Sequence, residues 1–280
     1  LIYLDNNAST KLDPEVREAM ERAAGVFGNP SSIHAEGRRA RRLVEESREE
    51  VARLLGADAD EIFFTSGGTE ANAMAIFGGA AAGPPGGRIV CSGAEHPSVR
   101  EAVEAIPAGA GGVLSVNPDP SGALDTGRVL DAAGERACLV TVMAANNEYG
   151  GLFPVGEIGP ALRGRGILFH TDAVQAAGKI AVDVKAWQAD LATVSAHKIH
   201  GPKGTGALYI RRGVRIPPRT PGGGQEKKLR AGTENTAGIA GFGVAARLAR
   251  ERLPEAGSIA RLRDRLEREI LGRAEGARAV

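Results

Sequence analysis

Seven short apolar runs, separated by stretches of helical character, constrain this chain more than any other feature of its sequence. The runs lie near residues 61–65, 88–92, 112–116, 138–143, 167–170, 191–194 and 206–210. Apolar residues at helical spacing mark residues 15–24 and 35–55, the second through Leu43, Val44, Val51, Leu54 and Leu55. Alternation of this kind predicts an α/β fold. Most of the runs are apolar at successive positions, the pattern of strands buried on both faces, so a mainly parallel seven-stranded sheet with helices on both sides is expected. Such sheets bind ligands at the carboxyl ends of their strands.

After the last run the pattern is purely helical, over 236–253 and 258–273. Ile259, Leu262, Leu266 and Ile270 form an apolar stripe that needs a partner. No later strand completes a second layer. Residues 1–243 are therefore expected to form one large domain and 244–280 the start of a small domain cut short at Val280, with the first ~15 residues packing against the smaller one. Lys and Arg number 35 against 34 Asp and Glu, a net charge of +1. That balance gives no global attraction to nucleic acid. No apolar run reaches the ~20 residues of a membrane span. The opening LIYLDNNAST has no export signal, which makes the cytoplasm the expected location. Cys91 and Cys138 sit singly inside apolar runs with no CxxC, so no metal site is expected.

Five loops at strand ends carry residues suited to chemistry. Thr65-Ser66-Gly67-Gly68-Thr69-Glu70 joins a strand to a helix start, where free N–H groups and the helix dipole suit a phosphate; a plain glycine turn and cap is the simpler reading. It is neither GxxxxGK[ST] nor GxGxxG. Lys198 follows the run DLATV in a loop rich in glycine. With only seven lysines against 28 arginines, a lysine there points to an amine nucleophile, because arginine cannot form a Schiff base; a solvated lysine is the alternative. Asp172 ends another run, either as a cap or as the partner of a protonated ring nitrogen. His96, in AEHP, offers a flat ring for stacking, or is an ordinary loop histidine. Asn146-Asn147-Glu148 offers a side-chain amide for a phenolic oxygen, or is a turn. Taken together, a phosphate cup, a ring stacker, an oxygen partner, a pyridinium partner and an amine make up the parts list for pyridoxal 5'-phosphate.

The segments YLDNNAST, FGNPSSIH, FTSGGTEAN, AEHPSV, NNEYG, HTDAVQ, SAHKIHGPKGTGALYIRR and GGGQEKKLRAGTEN resemble, in order, the motifs of the class V aminotransferases, specifically cysteine desulfurases of the NifS/IscS type. The resemblance runs from Leu1 to at least Gly243, and the GPKG and RAGTEN segments look like that branch rather than the SufS branch. It implies a fold type I pyridoxal phosphate enzyme. Lys198 would be the cofactor-linked lysine, and Gly68, Thr69, Ser195 and His197 would hold or neighbour the phosphate. His96 would stack on the ring and shuttle protons, Asp172 would pair with the ring nitrogen, and Asn147 and Gln175 would bond the ring oxygen. Thr233 resembles the residue that reaches the phosphate of the other subunit, which implies a homodimer.

The implied reaction takes sulfur from L-cysteine, leaving L-alanine and an enzyme persulfide for iron–sulfur cluster or thio-cofactor synthesis, with a sulfur-acceptor or scaffold protein as partner. The family's nucleophilic cysteine and the arginine that holds the substrate carboxylate lie beyond the lysine motif, and neither segment is present. Cys91 and Cys138 match no nucleophile motif and are expected to be structural. Two other functions stay open: another class V lyase or aminotransferase, and a cofactor-binding protein without desulfurase turnover.

Overall fold

The computed structural model describes residues 2–107 and 111–279; Leu1 and Val280, the outer ends of the two expected domains, lie outside them. Two helices come first. α1 (Pro14–Ala24) starts where the Asp13 side chain accepts from the Glu15 N–H, and α2 (Ala35–Leu55) stops at Gly56, which takes the left-handed conformation at φ 67°. Seven strands follow: β1 (Ile62–Thr65), β2 (Arg88–Ser92), β3 (Val113–Val116), β4 (Ala137–Thr141), β5 (Leu168–Asp172), β6 (Leu191–Ser195) and β7 (Gly206–Ile210). Between them lie α3 (Gly68–Ala82), α4 (Pro97–Glu104), α5 (Thr126–Ala133) and α6 (Val155–Arg163), and the chain closes with α7 (Thr236–Arg252) and α8 (Ala256–Arg273).

All seven strands join one sheet in the order β1-β7-β6-β5-β4-β2-β3. Pairing is parallel except at β7, which runs antiparallel to both β1 and β6. Strands β4, β6 and β7 are buried throughout, as continuous apolar runs require. β3 differs from that pattern. It is an edge strand paired only with β2, and Val113 and Leu114 stay exposed. One face of the sheet buries Ile76, Ile89, Leu139 and Leu191, with α3 and α4 against it; the other buries Phe64, Val140, Phe169 and Phe242.

α7 packs on α1 and α2, and Arg252 reaches Asp13 at 2.7 Å. Gly243, the expected domain boundary, lies inside this unbroken helix. The apolar stripe of α8 comes after the turn at Leu253–Glu255, with Ile259 and Leu262 each 66% exposed. Thr10 N–H donates to the His197 carbonyl at 2.9 Å and Asp13 N–H to that of His200 at 3.0 Å, so the N-terminal segment lies along the lysine loop. Among the described residues no helix is long and apolar enough to cross a membrane.

Candidate active site

The five loops converge on one cavity of about 490 Å3, within the usual range of small-molecule sites. Its lining includes Gly68, Thr69, His96, Asn147, Asp172, Gln175, Ser195, His197 and Lys198. Thr233, the remaining expected residue, is exposed and does not line it.

The start of α3 forms part of this lining. Gly67 takes φ 155° and ψ 179°, a region open in practice to glycine alone, and contributes no side-chain cap. The first-turn N–H groups of α3 are therefore left without a capping side chain, at the positive end of the helix dipole. A Cβ on Gly68 would stand 3.2 Å from Val174 Cγ2 and 3.6 Å from Ser195 Cβ, so glycine keeps open the approach between α3 and the end of β6. His197 and Lys198 follow Ser195 on a single 3-10 turn, Ala196–Lys198, where the Ile199 and Gly201 N–H groups both donate to the Ala196 carbonyl. Burial, and then the charges of Lys198 and Lys203, lower the His197 pKa. Burial also lowers that of Lys198, against the opposite pull of Asp172 and Asp5. The Lys198 ammonium donates to the carbonyls of Asn7 and Ala8.

Asp172, also in the lining, closes β5 and is only 4% exposed. Its Oδ2 accepts from Asn72 Nδ2 at 2.8 Å and its Oδ1 from the Val174 N–H at 2.9 Å. Both donors are neutral amides. Burial raises the Asp172 pKa, while these bonds and the charges of His96 and Lys198 act against it. A carboxyl so placed favours a cation opposite it. The second Asn72 N–H donates to Ser98 Oγ at 2.9 Å, and Ser98 in turn meets His96 Nδ1 at 2.7 Å. The Ser98 backbone N–H also donates to Nδ1, at 3.1 Å, so in the neutral ring the proton sits on Nε2. Asn146 forms the turn, its Oδ1 accepting from Glu148 and Tyr149 N–H, which leaves Asn147 on the cavity wall with its amide bonded to the Glu148 carboxylate.

Sequence reasoning assigned no role to Asn72, Glu95 or Asn7. Asn72 carried a faint signal, as a polar residue inside an otherwise apolar stretch of α3. Glu95 carried none. It is buried, its Oε1 accepts from Met143 N–H at 2.6 Å and Ser92 Oγ at 2.9 Å, and its Oε2 has no partner. Burial, then the charge of Asp172, push its pKa up to about 8. Cys91 and Cys138 lie in β2 and β4, buried and outside the cavity lining, and burial raises both thiol pKa values.

Comparison with known proteins adds a second line. The profile described as Aminotransferase class-V matches residues 2–273. The chain belongs to the class V aminotransferase family. Among class V relatives, a cysteine desulfurase of Enterobacter agglomerans is 48% identical over 272 residues, covering 96% of this chain and 68% of the relative. One from Trichormus azollae is 46% identical, covering 98% and 69%. A solved NifS-like protein superposes with a TM-score of 0.92 at 37% identity, covering 97% of this chain and 76% of its own. SspA in complex with cysteine superposes at 0.83, also with 37% identity, covering 88% and 72%. The mostly parallel sheet with its antiparallel β7 is thus the class V fold.

Proposed function

We propose that this protein is a pyridoxal 5'-phosphate-dependent cysteine desulfurase, which takes the sulfur of L-cysteine and leaves L-alanine and a protein persulfide. The observation that carries the reading is the set of groups lining one cavity: an α3 N-terminus without a side-chain cap beside Ser195, a buried Asp172 whose hydrogen-bond partners are neutral amides, and Lys198. This set fits the cofactor: helix N–H groups for its phosphate anion, a buried carboxylate for its protonated ring nitrogen and an amine for its aldehyde. Its relatives bear the same activity in their names.

In this reading the N–H groups of Gly68 and Thr69, with Ser195 and His197, hold the phosphate. Asp172 holds a proton on the ring nitrogen, and Asn72 fixes the carboxylate for that task. Bound there, the cofactor supplies an electron sink for charge developing at the substrate α-carbon. The lowered pKa of Lys198 favours the neutral amine that can move a proton at that carbon. His96, through Nε2, is a second proton carrier at the same wall, and Asn147 and Gln175 orient the ring oxygen. Neither Cys91 nor Cys138 is the thiol that receives sulfur, since neither lines the cavity. The alternative is a cofactor-binding protein without desulfurase turnover.

Exposed Thr233 reaches the neighbouring subunit's phosphate in a homodimer, and the persulfide passes to an acceptor or iron–sulfur scaffold. Two free thiols fit the reducing cytoplasm. The test is reduction of the cofactor-loaded protein with borohydride followed by peptide mapping. A label on Lys198 is expected; a label on Lys179 or Lys203 would sink the assignment. Sulfide and alanine release from L-cysteine then separates the two readings.

A further inference from the structure

Gln175 is 7% exposed, and its amide has a neighbour on each side. Lys179, four residues further along the same turn, places its Nζ 2.7 Å from Gln175 Oε1 and 3.3 Å from the Gln175 carbonyl oxygen. On the other side Gln175 Nε2 donates to the Asn7 carbonyl at 2.9 Å, against the cavity. Rotating the amide by half a turn would set its NH2 against the ammonium and its oxygen against a carbonyl, replacing two hydrogen bonds with two repulsions. An ammonium has no acceptor site, so the orientation is fixed by chemistry. Burial, and then the charge of Lys198, bring the Lys179 pKa down to about 8, which still leaves it a cation and donor at neutral pH.

We propose that Lys179 is a positioning residue that locks the Gln175 amide with its N–H toward the cavity, so that this wall accepts only a ligand presenting a hydrogen-bond acceptor, a phenolate oxygen. The inference rests on the cofactor reading above and deepens it: Gln175 touches the ring oxygen, and Lys179 decides which end of Gln175 does so.

The experiment follows the visible absorbance of the protein loaded with pyridoxal phosphate as pH is varied. A donor to the ring oxygen holds its proton affinity down, so Lys179→Met is expected to raise the titration midpoint by about one pH unit, the scale of one charge-assisted hydrogen bond. Lys179→Arg, which keeps an obligate donor, should recover most of that shift. The decisive comparison is the double variant: if Lys179 acts through the amide, adding Gln175→Ala to Lys179→Met moves the midpoint by no more than a few tenths of a unit. Additive shifts would mean that Lys179 acts by its charge alone, and an unmoved midpoint in Lys179→Met that it does not act at all; either overturns the inference while the cofactor reading stands. Absence of the visible band from the wild type overturns both. Lys179→Gln, uncharged and of similar reach, gives the same comparison should the methionine variant not fold.

Discussion

Asp172 lines the cavity and Glu95 lies behind it, bonded to the Met143 N–H; both are buried carboxyls, and the charge of Asp172 helps hold Glu95 neutral. A carboxyl whose folded pKa is raised from 4.5 to about 8 contributes stability that is fully present below pH 4.5 and is lost as pH rises through 8. Glu95→Gln mimics the neutral form, so thermal melts should show the wild type losing stability across that window and the variant losing less; parallel curves would refute it. Asp172 carries the opposite requirement, a negative charge facing the ring. Asp172→Asn is expected to keep some cofactor but slow α-proton exchange, followed by NMR in deuterated water, by on the order of 100-fold or more. Unchanged exchange would remove Asp172 from the mechanism. That Lys198, Asp172 and His96 line one cavity was legible in the sequence, because each places a reactive side chain near a strand end. The places of Asn72, Glu95 and Lys179 were not, because each is set by contacts that only the fold creates; Asn72 meets a carboxylate 100 residues away.

Among the elements, the segment leading to Thr233 is held by an internal clamp. Glu226, Lys227 and Lys228 have φ of 43°, 56° and 69°, three consecutive non-glycine residues in the left-handed region. Each costs ~1–2 kcal/mol. Against that strain Arg48 of α2 grips Glu226 with two bonds of 2.8 Å, both side chains being 2% exposed, and the Phe64 N–H donates to the same carboxylate. Breaking such a buried pair leaves a charge uncompensated, so Glu226→Gln should lower stability by ~3–5 kcal/mol in urea unfolding. Lys228→Gly, by contrast, should raise it by ~1 kcal/mol, because glycine enters that backbone region freely. A destabilised Lys228→Gly would show that the strain is not stored there. The strands themselves were readable from apolar runs, with β2 and β7 matching to the residue. The left-handed run was not, since Glu-Lys-Lys carries none of the glycine or asparagine that usually marks it.

For the whole molecule, exposed Thr233 outside its own cavity makes the homodimer testable. Mixing Lys198→Ala subunits with Thr233→Ala subunits should yield heterodimers with one site intact and one doubly impaired; phosphate affinity that tracks Thr233 of the lysine's own chain would end the shared-site reading. The sheet order was not legible in advance, because it rests on pairings between distant segments. Among the described residues β1 has one sheet neighbour, β7, met in the register Ile62↔Tyr209, about 150 residues later in the chain. A ribosome adding ~5–20 residues per second needs roughly 7 to 30 s to cover that distance. For that interval the nascent strand Ile-Phe-Phe-Thr lacks the partner it pairs with in the sheet, and the β1–β7 seam closes only once β7 has been made. Newly made chains are therefore most exposed to misassociation between the two strands' synthesis, at a stage when every residue of β1 is already in place and its partner has yet to be translated.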